Sequence, residues 1–259
     1  MRDLGDILAE VRGKIAAACE RAGRDPGEVE IVAVTKTHGE DVVREAWEAG
    51  LRIVGENKVQ EAMWKKEASP AGPSWHLIGH LQGNKVRNAL ATFDFIHSVD
   101  SVKLLDRIEA VSENCGFMPH VLLEVNVSGE KSKSGMRPDD VAAAVSHIVG
   151  NCRRITVEGL MTMAPFSADR EDARPYFRRL RQLRDEIEDR LQVGLPRLSM
   201  GMSGDYETAV EEGATWVRLG TVLFGERPKA KTRRAVSDGD EMDFGLDSYS
   251  AGPVVRVYD

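Results

Sequence analysis

The chain has little cysteine, and what it has is scattered. Cys19, Cys115 and Cys152 share no CxxC spacing across 259 residues. That argues against a disulfide framework and a zinc site, and it fits small core fillers in a reducing cytoplasm. No run of about 18 apolar residues occurs, so no membrane-spanning helix is expected. There is no excess of positive charge: 35 Lys and Arg against 42 Asp and Glu leave a net charge of -7. A nucleic-acid binder would normally carry a basic surface instead. The opening stretch MRDLGDILAEVRGKIAAACERAG sets acids among its apolar residues. It reads as an amphipathic helix and contains no signal-peptide core. Internal repeats and linkers rich in Pro, Gly or Ser are also missing.

What is present is alternation. Apolar runs at 30–36, 52–57, 75–79, 95–99, 120–127, 155–163, 197–200 and 216–220 read as strands. Amphipathic stretches such as 40–49, 57–68, 101–114, 138–149 and 170–192 read as the helices between them. Strand–helix alternation implies parallel pairing, because each crossover must return the chain to the same edge of the sheet. Eight strands in one domain-sized chain favour a closed (β/α)8 barrel, a TIM barrel, over an open doubly wound sheet. The barrel is expected to occupy residues 1–228. Residues 229–259 change character: a basic cluster, an acidic glycine-bearing segment, then PVVRVY. They are expected to form a flexible extension outside the barrel.

In a parallel barrel, functional groups gather at the carboxyl ends of the strands. The first strand, IVAVTK, ends on Lys36, the second ends in GEN with Asn57, and the third carries His76 and His80 in HLIGH. Side chains alternate along a strand, so Lys36 can share a side with Val34, Asn57 with Gly55, and Arg218 with Gly220. Lys36 has two readings: a solvated lysine starting a loop, or an amine that forms a Schiff base, made nucleophilic by apolar surroundings. In SMGMSGD, Ser203 stands as a candidate N-cap, and Gly204 would let backbone approach a ligand. In RLGTVLFG, Gly220 and Thr221 offer another amide and a hydroxyl. Loops after the last two strands are the usual phosphate site of this architecture. Arg218, within an apolar strand, needs partners. It either pairs with an acid or faces the ring nitrogen of a bound pyridine, where a permanent cation would weaken the ring as an electron sink. The histidines read as core or rim residues, and their spacing matches no metal set.

These motifs occur in the order AVTKTH, GENKVQEA, WHLIGHLQGNKVR, SVDS, EVNVSGEKSKSGM, EGLMTMAP and LSMGMSGDYETAVEEGATWVRLGTVLFGER. In that combination, over residues 3–228, the chain resembles the pyridoxal phosphate homeostasis proteins, also called proline synthase co-transcribed homologues. The resemblance implies a barrel of the alanine racemase N-terminal type, holding pyridoxal 5′-phosphate as an aldimine on Lys36. It implies that Asn57 lies beside the ring and Met200 lines the pocket. It assigns Ser203, Gly204, Gly220 and Thr221 to the phosphate and Arg218 to the pyridine nitrogen. The expected role is to buffer the cofactor or deliver it to acceptor enzymes that depend on pyridoxal phosphate. The chain is expected to be a cytoplasmic monomer, with no catalytic residue and no metal, nucleic-acid or membrane partner. The rival readings are an amino-acid racemase and a Schiff-base aldolase. Two-base racemases of the related fold take a tyrosine from an additional β-domain, and here the barrel is expected to take up most of the chain.

Overall fold

The architecture comes from a computed structural model, which describes residues 3–69, 71–130 and 133–225. The Asp3 carboxylate accepts the Gly5 amide at 3.0 Å and opens helix α1 (Leu4–Ala22). Gly23, at φ 66°, closes it in the left-handed conformation that glycine tolerates. Leu8, Val11, Ile15, Ala18 and Cys19 recur at helical spacing, and all are buried. The helix packs against two short helices near the end of the barrel, α8 (Tyr206–Glu211) and α9 (Thr221–Phe224).

The eight strands are β1 (Glu30–Val34), β2 (Ile53–Glu56), β3 (Ser74–Leu77), β4 (Phe95–Val99), β5 (His120–Glu124), β6 (Thr156–Met161), β7 (Arg197–Ser199) and β8 (Trp216–Leu219). Each pairs in parallel with the next, and β8 pairs with β1, so the sheet closes. The expected barrel is therefore the fold, and the open sheet is not. The connecting helices are α2 (Asp41–Glu48), α3 (Val59–Ala68), α4 (Val86–Thr92), α5 (Val102–Cys115), α6 (Pro138–Asn151) and α7 (Arg174–Leu191). Among the described residues, no helix is long and apolar enough to cross a membrane.

Strand alternation divides the core in two. Ile31, Ala33, Val54, Trp75, Leu77, Val217 and Leu219 face outward and merge with the buried faces of the helices. Val32, Ile53, Leu122, Met161 and Trp216 form a separate cluster inside the barrel. One glycine is demanded by close approach: a Cβ on Gly159 would lie 1.8 Å from the Arg197 carbonyl oxygen, beside the register shift between β5 and β6. Most strands stop one to three residues short of the apolar runs that mark them. Beyond Val34 the Thr35 amide still reaches the sheet, donating to Gly55 O at 3.2 Å. The expectation for residues 229–259 lies outside the described residues.

Candidate functional site

The site begins where β1 gives way to a turn. His38 N–H donates to Thr35 O at 3.1 Å, which places Lys36 and Thr37 at the centre of a four-residue turn. Thr37 lies at φ 69°, a region seldom used by β-branched residues. Lys36 has the parity of the interior residue Val32 and is half-buried. The His38 ring lies 5.8 Å from that of Phe224 in α9, joining the first mouth loop to the last. Register places Asn57 next to this turn. Val34 pairs with Gly55, and two residues further along their strands Lys36 and Asn57 emerge side by side. Asn57 is half-buried, and its backbone presses on Gly79, where a Cβ would come within 2.4 Å of Asn57 O.

The loops after β7 and β8 are tied together. Ser203 was expected to cap the helix that follows it, but α8 takes Asp205 as its N-cap. The Asp205 carboxylate turns back to accept the Met202 amide at 2.6 Å. The Ser203 hydroxyl instead accepts the Val222 amide at 3.2 Å, which fastens the loop after β7 to the first turn of α9. Gly204 is exposed, with open space where a side chain would be. Gly220 packs on β1: its Cβ would meet Val34 O at 3.2 Å. Thr221 is exposed at the start of α9. In α9 the Val222 amide is taken by Ser203 and the Leu223 and Phe224 amides by Gly220 O, so the neutral donors that fit a phosphate here are the Ser203 and Thr221 hydroxyls. Met200 is wholly buried, joins the outer core, and donates its amide to Trp216 O at 3.1 Å.

Arg218 lies beneath these loops, 4% exposed and paired in register with Val32. The acid that would be its plainest partner is not what it touches. Nη1 donates to Ser199 Oγ at 2.8 Å and Nη2 to Thr162 O at 2.9 Å. Burial lowers its pKa to about 10, against the through-space pull of Asp205 and Glu124, so it stays charged at neutral pH. Behind it the polar contacts continue. Ser199 Oγ lies 2.9 Å from His97 Nδ1, and His97 Nε2 lies 2.9 Å from His76 Nδ1. Arginine can only donate. With Ser199 accepting from Arg218, one arrangement that satisfies the chain sends the Ser199 hydrogen to His97 Nδ1 and the His97 Nε2–H to His76. Burial keeps both rings uncharged, with His76 lowered to about 3 and His97 well below its ordinary value. His80, by contrast, sits on the exposed rim 3.2 Å from Asp100.

The structure thus brings Lys36, Asn57, Ser203, Gly220 and Thr221 to one end of the barrel, with Arg218 below and Met200 packed behind. Sequence reasoning missed the residues that hold them. Ser199 and Thr162 position Arg218. Lys65, Glu56 and Glu61 surround the Lys36 turn. Glu124 follows the interior residue Leu122 at the same parity, 3% exposed, its pKa raised by burial and then by Asp100. The available signal was a charge where the periodicity calls for an apolar residue: Glu56 at a core position of β2 and Lys65 on the buried face of α3.

Residues 8–228 match the family described as alanine racemase, N-terminal domain. A pyridoxal phosphate homeostasis protein of Aquifex aeolicus is 44% identical over 221 residues, covering 85% of this chain and 96% of its own. One from Pseudomonas aeruginosa is 43% identical over 229 residues, covering 88% and 97%. Among solved structures, PipY of Synechococcus elongatus with pyridoxal phosphate bound is 36% identical and superposes with a TM-score of 0.74, over 86% of this chain and all of that one.

Proposed function

The chain belongs to the pyridoxal phosphate homeostasis protein family, and from that premise we propose that Lys36 holds the cofactor at the barrel mouth without turning over amino acids. The chain is a pyridoxal 5′-phosphate-binding protein that serves homeostasis of that cofactor. The observation that carries the site assignment is contiguity. Ser203 bonds to Val222, Gly220 packs on Val34, and Lys36 follows Val34 by two residues.

When bound, pyridoxal 5′-phosphate supplies an aldehyde for condensation with an amine and a ring that can draw electrons from the attached carbon. Lys36 provides the amine, and one water leaves when it condenses. Ser203, Gly204, Gly220 and Thr221 hold the phosphate through hydroxyls and backbone amides. Asn57 flanks the ring beside Lys36, and Met200 packs behind the pocket. Arg218 presents a cation to the ring nitrogen and keeps it unprotonated. Ser199 and Thr162 hold the guanidinium in that position.

The absence of turnover follows from Arg218. An unprotonated ring nitrogen leaves a carbanion poorly stabilised, and racemisation also needs an acid and a base on opposite faces. Tyr206, a described tyrosine, is buried in α8 and so is not offered to the mouth. The binding unit is residues 1–228. It acts as a cytoplasmic monomer that releases its cofactor to acceptor enzymes.

The test is to load the chain with pyridoxal 5′-phosphate, incubate it with L-alanine and other L-amino acids, and follow chirality and α-proton exchange by NMR. Unchanged chirality is expected. Racemisation at about 1 s⁻¹ or faster, lost in Lys36→Ala, would establish the racemase instead.

A further inference from the structure

The turn that carries Lys36 is gripped on both sides by charged groups from β2 and α3. On one side, Lys65 Nζ donates to Thr35 O at 2.8 Å, and Thr35 Oγ1 donates to Glu56 Oε1 at 2.5 Å. On the other, Thr37 N–H donates to Glu61 Oε1 at 2.6 Å. Lys65 links the two carboxylates, donating to Glu56 at 2.7 Å and to Glu61 at 2.8 Å. Its three hydrogens thus meet three acceptors. That complement is what a fully buried ammonium requires, and both Lys65 and Glu56 are 0% exposed.

Two physical points separate this cluster from ordinary glue between helix and sheet. A buried ion pair contributes little net stability compared with an apolar pair of similar size, so holding α3 in place does not call for one. Val59 and Ala62 already bury the same face of α3. The bonds also converge on the residues immediately before and after Lys36. One of those is Thr37, a β-branched residue in the left-handed region, at the turn position that usually falls to glycine. A strained turn persists only where its surroundings over-determine it.

We propose that Lys65, with Glu56 and Glu61, forms a clamp that positions Lys36. It fixes the backbone on both sides so that the amine is held toward the barrel mouth. The three act as positioning residues, through the turn, and touch no part of the ligand. The inference rests on the reading of Lys36 as the cofactor lysine.

The test uses the full chain with Glu61→Ala. Glu61 is half-buried, so water can take its place beside Lys65, where loss of Lys65 would strand two carboxylates. Two ligands are compared: pyridoxal 5′-phosphate, and pyridoxine 5′-phosphate, which has an alcohol in place of the aldehyde and cannot condense with an amine. Glu61→Ala is expected to weaken binding of the aldehyde about tenfold or more, the worth of one hydrogen bond to a charged group, and that of the alcohol by less than about twofold. Without ligand, the Thr37 amide should exchange its hydrogen about tenfold faster in Glu61→Ala than in the parent. Glu61→Gln retains an oxygen to accept that amide and should restore both properties. Equal losses for the two ligands, or no change in either affinity or exchange, would overturn the clamp. A parent chain that attaches no pyridoxal phosphate to Lys36 would overturn the site assignment instead. Thr37 exchange, measured without cofactor, reports on the clamp separately.

Discussion

Acidification from about pH 7 to about pH 5.5 is expected to destabilise the cofactor-free chain through two histidines in the barrel interior. His76 is 1% exposed and His97 is 0% exposed. Burial is the main cause of the lowering in both. Arg197 adds to it at His76, which falls to about 3, and His76 and Arg218 add to it at His97. In the unfolded chain each returns to about 6.5. The unfolded state therefore binds more protons below that value. The stability is complete above pH 6.5 and is lost as pH falls toward the folded pKa values. One pH unit below the unfolded pKa, the loss is on the order of 1 kcal/mol for each ring. Against a typical stability of about 5–15 kcal/mol, that is a readily measured change. Burial raises the pKa of Glu56, Glu124 and Asp205, and these groups act in the opposite direction, gaining stability as pH falls. The measurement is accordingly a difference. Urea unfolding at the two pH values is compared for the parent and for His97→Asn. The parent should lose on the order of 1 kcal/mol more over the interval than the variant. Equal losses would refute the claim that the fold holds His97 neutral, and with it the proton arrangement that supports Arg218 through Ser199.

Ser203→Ala should weaken pyridoxal 5′-phosphate about tenfold and leave pyridoxal, which lacks the phosphate, almost unaffected; equilibrium dialysis of both ligands checks this. Gly79→Ala should displace Asn57, because its Cβ would lie 2.4 Å from the Asn57 oxygen and 2.7 Å from the Asn57 Cα. The expected cost is about 1–3 kcal/mol in urea unfolding, together with weaker cofactor binding.

Strand order and barrel closure were legible because apolar runs and amphipathic stretches alternate through the chain. Boundaries were less so. Thr35 continues the β-branched pattern of β1, yet the turn begins there, marked by the His38–Thr35 bond. Short helices were harder still. α9 is four residues long, too short for periodicity to mark. Motifs at strand ends pointed to the residues proposed to meet a ligand, but not to the groups that hold them. Ser203 reads as a helix cap, and only packing shows its hydroxyl bonded to the start of α9. Lys65 reads as one of two surface lysines in MWKKEA until α3 docks and buries it. Ser199 and His97 are separated by 102 residues, and closure of the barrel brings them within 2.9 Å.

The measurement that bears most directly on the account is the covalent address of the cofactor. The full chain is loaded with pyridoxal 5′-phosphate, reduced with borohydride, digested and analysed by mass spectrometry. The phosphopyridoxyl mass is expected on the peptide that contains Lys36. In Lys36→Ala it should be absent, while pyridoxine 5′-phosphate still binds. A label found only on Lys131 or Lys133 in the GEKSKSG loop, with Lys36 unmodified, would contradict the account.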